Sequence, residues 1–453
     1  MHDKPSTGER TVASQETRQA IYLAAVGVFF GLSLLKFGNP VIFDAQVGQP
    51  QNAGEFIYQP WPVAWGYTAL AGLMVVALLL RKTGEKHYPR AIAALPLIWL
   101  AWQFLAATQT IDATLTGQTI WHFTACVVCF YIGLLCVGPL GSLVPLWIIL
   151  LLAFVITLRS GLAQHFGGLE QTRKYFDSEI LPHMENPPQE FLLKLKSNRI
   201  FGTLFYPNTF AGAILLFLPF SWAAIIELGK GRSWWSRIAV GSVISLTALA
   251  CLYWSGSKSG WLIALVLGVM LVMRGVTQRQ VRGIAISAML VLGLGGFFFA
   301  YAKFFQRGAT SVSARMDYWR AAVQITEKHP LFGTGPGTFS IPYQKIKRPE
   351  AEMARLAHND YVQQASDSGL IGFIAFSGMI LSILIYLYRY RTQTIAHFLL
   401  WLGLVGVSLQ GLSEFNLYVP ALAWTEFFLF GLLLATPPES SRQNRNISPK
   451  NTA

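Results

Sequence analysis

The stretch AHNDYVQQASDSG, residues 357–369, places His358, Asn359 and two aspartates directly ahead of LIGFIAFSGMILSILIYLY, an apolar run long enough to cross a bilayer. Histidine exchanges protons near neutral pH, so His358 is a candidate general base. Asn359 suits the N-cap of a short helix ending at Gly369, with Asp360 in its first turn, and the positive helix end favours a neutral imidazole that accepts a proton. A capping or interfacial histidine without chemistry is the plainer alternative. Cations stand at other membrane edges: Arg199 ahead of Pro207 and Asn208, Lys258 within YWSGSKSGWL, and Arg315 and Arg320 within SARMDYWRAAVQITEKHP. Converging there, they would suit a phosphate-bearing anion. Pro207 and Asn208 also read simply as a kink at a span entrance.

The elements that must position these residues are membrane helices. Of 453 residues, 53% are hydrophobic and 13% charged, whereas soluble domains carry roughly a quarter charged residues. The composition predicts an all-α integral membrane protein, with apolar runs near 19–37, 62–80, 91–108, 119–138, 144–158, 201–226, 238–254, 261–273, 283–301, 369–388, 395–411 and 421–436, about twelve transmembrane helices. The runs at 144–158 and 261–273 are short enough to be broken or re-entrant. Lys and Arg resist translocation in short loops. Arg81, Lys82, Lys86 and Arg90, then Lys230, Arg232 and Arg237, then Arg274, Arg279 and Arg282, then Arg389 and Arg391 mark alternate loops, while 38–61, 109–118 and 413–420 contain none. The pattern predicts cytoplasmic termini: a polar tail over 1–18, a membrane domain over 19–436 and a disordered tail over 437–453. The first apolar run reads as a span and not as a removed signal. The formal charge of +13 is spread over these loops, so no nucleic acid partner is expected. Cys126, Cys129, Cys136 and Cys251 fall inside spans and read as small buried residues, with no disulfide and no metal site.

Two loops on the outer face, 159–200 and 302–368, are too long for simple connectors and are rich in Lys and Arg. In the second, an amphipathic helix with Met316, Trp319 and Val323 on its apolar face stops at Pro330; Arg315 and Trp319 share a face and Arg320 points away. In LFGTGPGTF, Gly333, Gly335 and Gly337 serve either a tight structural turn or a cradle for phosphate or sugar. Trp254, Trp261 and Tyr301 read as interface anchors, with sugar stacking the alternative.

In this order, SGSKSGWL, the spacing from Arg315 to Trp319, HPLFGTGPGTF and HND before SGLIGF, with FYPNTFAGAILL upstream and SEFNLYVPAL downstream, resemble the O-antigen ligase superfamily of bacterial membrane glycosyltransferases. The resemblance rests on about 240–380. It implies a GT-C-type bundle with a large periplasmic loop in the bacterial inner membrane. It also implies metal-free, cofactor-free, inverting transfer of a glycan from an undecaprenyl diphosphate donor to an acceptor hydroxyl at the periplasmic face, on lipid A core, a growing glycan or a protein. The family's essential arginine and histidine fall on Arg315 and His358. An arginine that the family often carries is Lys258 here, which keeps the charge and loses the bidentate fork. On this reading Lys258, Arg320 and Arg199 hold the donor diphosphate, with Asn359, Trp319, Asn208, Gly335 and Gly337 in support. The alternatives are a polysaccharide polymerase of the same superfamily, a cell-wall polymerase using a carboxylate such as Asp360, Asp367 or Glu350, a lipid-linked oligosaccharide flippase, and a non-catalytic subunit that only binds donor.

Overall fold

The computed structural model describes residues 7–80, 88–138, 140, 142–175, 197–306 and 310–435. The expected tail at 437–453 and the loop cations Arg81, Lys82, Lys86, Lys194, Lys196 and Arg307 lie outside the described residues. Among the described residues the chain is helical, without strands: α1 (Thr7–Lys36), α2 (Ala53–Tyr58), α3 (Val63–Leu80), α4 (Arg90–Ala107), α5 (Ala113–Tyr131, continued by a π turn Ile132–Val137), α6 (Val144–Ala163), α7 (Leu169–Tyr175), α8 (Pro207–Leu228), α9 (Trp234–Trp254), α10 (Lys258–Gly275), α11 (Arg279–Gln306), α12 (Thr310–Lys328), α13 (Ser340–Ile346), α14 (Asp360–Arg391), α15 (Ile395–Gln410) and α16 (Pro420–Ala435). Hydrocarbon offers no hydrogen bonds, so apolar segments close every backbone bond internally as helix. Nine of the described helices are long and apolar enough to cross a membrane, and three shorter apolar ones, Val63–Leu79, Ile395–Gln410 and Pro420–Ala435, stand among them.

Several boundaries differ from expectation. Residues 7–18 wind as the first turns of α1, leading into the apolar stretch Glu16–Lys36. The two short runs are continuous helices, because Val144–Ala163 and Lys258–Gly275 recruit flanking polar residues into their end turns. The first outer loop is helical as far as Tyr175, through a π turn at Gln164–Gly168 kinked at Phe166 and Gly167.

The centre of the bundle is α16, in which every residue is buried. It packs against α1, α5 and α15, and α15 lies along the largely buried α8. Small residues let these backbones touch: a Cβ on Gly431 of α16 would strike the Phe130 carbonyl of α5, and one on Gly133 would strike the Phe428 carbonyl. The cations Lys230, Arg232, Arg274, Arg279 and Arg391 gather at one end of this bundle, where Arg274 donates to the Thr392 and Gln393 carbonyls at 3.2 and 3.3 Å.

At the opposite end, α12 packs through Tyr318, Ala321, Ala322 and Ile325 against Phe339, Tyr343, Ala354 and Ala357. The predicted apolar face is therefore corrected: Met316 and Val323 are both 50% exposed, because two alanines and an aromatic fit the facing rings of α13 more closely. The helix expected over 360–369 is present, with the single residue Gly369 (φ 72°) separating it from the span that completes α14. Between them lies the glycine turn. Gly333, Gly335 and Gly337 all have positive φ; Gly335 N donates to Asp367 O at 2.9 Å and Gly337 N to Asp367 Oδ2 at 2.8 Å. These donors are committed to α14, which favours the structural turn over a phosphate cradle.

Gly431→Ala should destabilise the bundle by roughly 1–3 kcal/mol through overpacking against a backbone that cannot retreat. Gly295→Ala, where a Cβ meets nothing within 4 Å, should leave the melting temperature in detergent unchanged.

Candidate active site

The starts of α8, α10 and α14, the start of α12 and the turn from α15 to α16 meet at the end away from the gathered cations. Asp360 fastens two of them together: its N–H donates to Gly411 O at 2.7 Å and its Oδ2 accepts from Leu417 N at 3.1 Å. Asn359 caps α14, its Oδ1 accepting from the N–H groups of Tyr361 and Val362 at 3.0 Å each. Gln363 Oε1 accepts from Ala357 N at 2.6 Å, and Trp319 Nε1 donates to His358 O at 3.4 Å. Between these restraints His358 takes φ 50°, the one positive φ on a non-glycine among the described residues. Uncommon backbone held by its surroundings is a mark of functional sites.

The hub is Glu414, whose side chain is 3% exposed. Its Oε1 accepts from Arg315 Nη2 and from Asn208 Nδ2 at 2.6 Å, and its Oε2 lies 3.2 Å from His358 Nδ1. Arg315 also donates from Nε to Ser413 O at 3.0 Å and from Nη1 to Ser311 O at 3.2 Å. Asn208 passes the connection on, its Oδ1 accepting from Arg199 Nη2 at 2.6 Å, while Arg199 Nε donates to Ser255 O at 2.6 Å. Lys258 stands at the start of α10 with Nζ 5.0 Å from the Tyr301 ring centre, within the electrostatic reach of Arg199 and Arg315.

Burial pushes the Glu414 carboxyl up, but Arg315 and His358 outweigh it and hold the group below its ordinary value. A carboxylate only accepts hydrogen bonds, so His358 Nδ1 must donate to it, leaving the lone pair on Nε2. The His358 side chain is 29% exposed, within reach of a substrate hydroxyl. In its neutral form this imidazole has Nε2 free to take a proton, beside three cations and a single carboxylate, a surplus of positive charge.

Of the residues expected from the sequence, His358, Arg315, Asn208 and Arg199 share this connected set, with Lys258 beside it and Trp319 and Asn359 holding His358. Gly335 and Gly337 act at a distance, in the docked turn. Arg320 is not brought in: it pairs with Asp317 at 3.2 Å, as does Arg348 at 2.7 Å, on the outward side of α12. Asp360 and Asp367 are taken up in packing, and Trp254 stacks on His165 with ring centres 3.7 Å apart. Glu414 was missed by sequence reasoning although its stretch had been noted. The available signal was a lone acid in a short connection free of Lys and Arg between two apolar runs, a placement that asks for a partner.

Residues 243–377 match a family described as O-antigen ligase, which supports membership of that superfamily. The matched segment holds Lys258, Arg315 and His358; Arg199, Asn208 and Glu414 lie outside it. The chain is also similar to a Haemophilus influenzae protein described only as uncharacterized, 25% identical over 169 residues. That likeness covers 32% of this chain and 42% of the relative, so the chain spans less than half of the relative's length.

A carboxyl held low in the folded protein contributes stability above its unfolded value that is lost as pH falls through the folded one. The melting temperature of the unaltered protein should exceed that of Glu414→Gln above pH 4.5, and the gap should close as the pH is lowered further.

Proposed function

From the match of residues 243–377 to the O-antigen ligase family, we propose that this protein transfers a glycan from an undecaprenyl diphosphate donor to an acceptor hydroxyl, with inversion at the anomeric carbon. The observation that carries the reading is the chain Arg315–Glu414–His358, linked through a buried carboxylate. As the acceptor oxygen attacks the anomeric carbon, its proton passes to His358 Nε2. The bond from that carbon to the diphosphate oxygen breaks, and its electron pair leaves with the diphosphate. Arg315, Arg199 and Lys258 face the charge that develops there, a task that a metal ion performs in other enzymes. The proton on His358 then returns to water. General base catalysis of this kind contributes typically ~10²–10⁴-fold. A single displacement from one face accounts for inversion.

The cations gathered at the other end of the bundle support reading that end as cytoplasmic under the positive-inside rule. The site then faces the periplasm across the inner membrane, where a lipid-borne donor meets a water-exposed acceptor, lipid A core for a ligase or a glycan chain for a polymerase. A flippase would carry charge deep in its spans, whereas these charges gather at one membrane edge.

Two substitutions test the reading in membranes supplied with a lipid-diphosphate-linked oligosaccharide. His358→Ala should abolish transfer. Glu414→Gln turns an amide toward Nδ1, inverts the tautomer and should lower kcat by roughly 10²-fold or more with donor binding retained. Normal transfer by both variants would sink the proposal.

A further inference from the structure

A second run of contacts starts from the same turn. Phe415, next to Glu414, meets His358 edge-on with ring centres 4.7 Å apart and Tyr206 at 5.4 Å; Tyr206 lies 6.4 Å from Phe43. The Arg355 guanidinium sits over Phe43, 5.5 Å from its ring centre, and its charge acts on Tyr206. Phe43 belongs to the connection between α1 and α3, where Asp44 Oδ1 accepts from Val63 N at 2.8 Å and pins the turn Val41–Gln46. Arg355 is exposed and stands three residues ahead of His358. Arg315 has Glu414 as its partner, and Arg320 and Arg348 share Asp317; no carboxylate among the described residues pairs with Arg355. A guanidinium resting on an aromatic ring keeps donors for an anion.

Arg355 belongs to the run through Phe43 and Tyr206, whereas Arg199 and Arg315 belong to the run through Asn208 and Glu414. His358 touches both runs, Glu414 through Nδ1 and Phe415 through its ring, which is where a base between donor and acceptor must stand. We propose that Phe43, Tyr206 and Arg355 form the acceptor subsite, with the rings against a sugar face and Arg355 binding a phosphate or carboxylate carried by the acceptor glycan. This deepens the transferase reading and rests on it.

The test uses the full chain in nanodiscs of neutral lipid, the lipid-linked donor, and a membrane glycolipid acceptor whose oligosaccharide bears one phosphate, compared with its phosphatase-treated form. Arg355→Gln should raise the KM for the phosphorylated acceptor about tenfold, the loss of one charge-assisted bond. The donor KM, kcat and the KM for the treated acceptor should stay unchanged, and Arg355→Lys should recover part of the loss. A defect equal for both acceptors, a defect in donor KM, or no defect overturns the assignment. So does an Arg355-dependent response to added anionic phospholipid with the two acceptors used alike, which would make a lipid headgroup the ligand. If the unaltered protein transfers to neither acceptor, the transferase reading falls and direct binding decides the subsite: a Kd for the phosphorylated glycolipid about tenfold weaker in Arg355→Gln upholds it, and equal Kd values remove it.

Discussion

A carboxylate withdrawn from water at the rim of a membrane bundle has to be paired, and Glu414 is that carboxylate. Removing a charge from solvent costs several kcal/mol unless partners of good geometry replace the water. Glu414 finds them on three segments far apart in the chain, Arg315 on α12, Asn208 at the start of α8 and His358 ahead of α14. Each partner is in turn fixed by the others. The charge balance that keeps Glu414 ionised also orients the imidazole, so one interaction serves folding and, on the proposed mechanism, proton transfer as well.

The rest of the architecture keeps that pairing in register. Asp360 locks the start of α14 to the turn that carries Glu414, and Asp367 holds the glycine turn against α14 while binding Tyr418, four residues beyond Glu414. The glycines matter here because their backbone must lie directly on another backbone. Behind this polar layer, α16 packs against α5 at glycine contacts, so the turn it follows has little freedom to drift.

Much of this was legible in the sequence. Spans announce themselves because hydrocarbon tolerates only closed backbone bonds, and Asn359 as a cap and Pro330 as a stop follow from local chemistry. His358, Arg315 and Lys258 lie within one recognisable segment. Arg320 reads like Arg315 in composition, and only the phase of α12, set by Tyr318, Ala321 and Ala322 against Phe339 and Tyr343, puts it on the outward side, with Asp317 one turn away on the same helix. Glu414 and Phe43 were opaque for a different reason. Their importance lies in what the fold brings to them from hundreds of residues away, and no local pattern records that.

The burial of α16 also bears on how the protein is made. Spans enter the bilayer in the order of synthesis, and this helix, enclosed on all sides, follows every other described span. The earlier helices must leave a slot until it arrives, and the turn bearing Glu414 arrives with it. Until then Arg315 and His358 lack the group that joins them, so under the proposed mechanism a partly synthesised chain has its cations without a positioned base. On the proposed reading, transfer therefore waits on the insertion of α16.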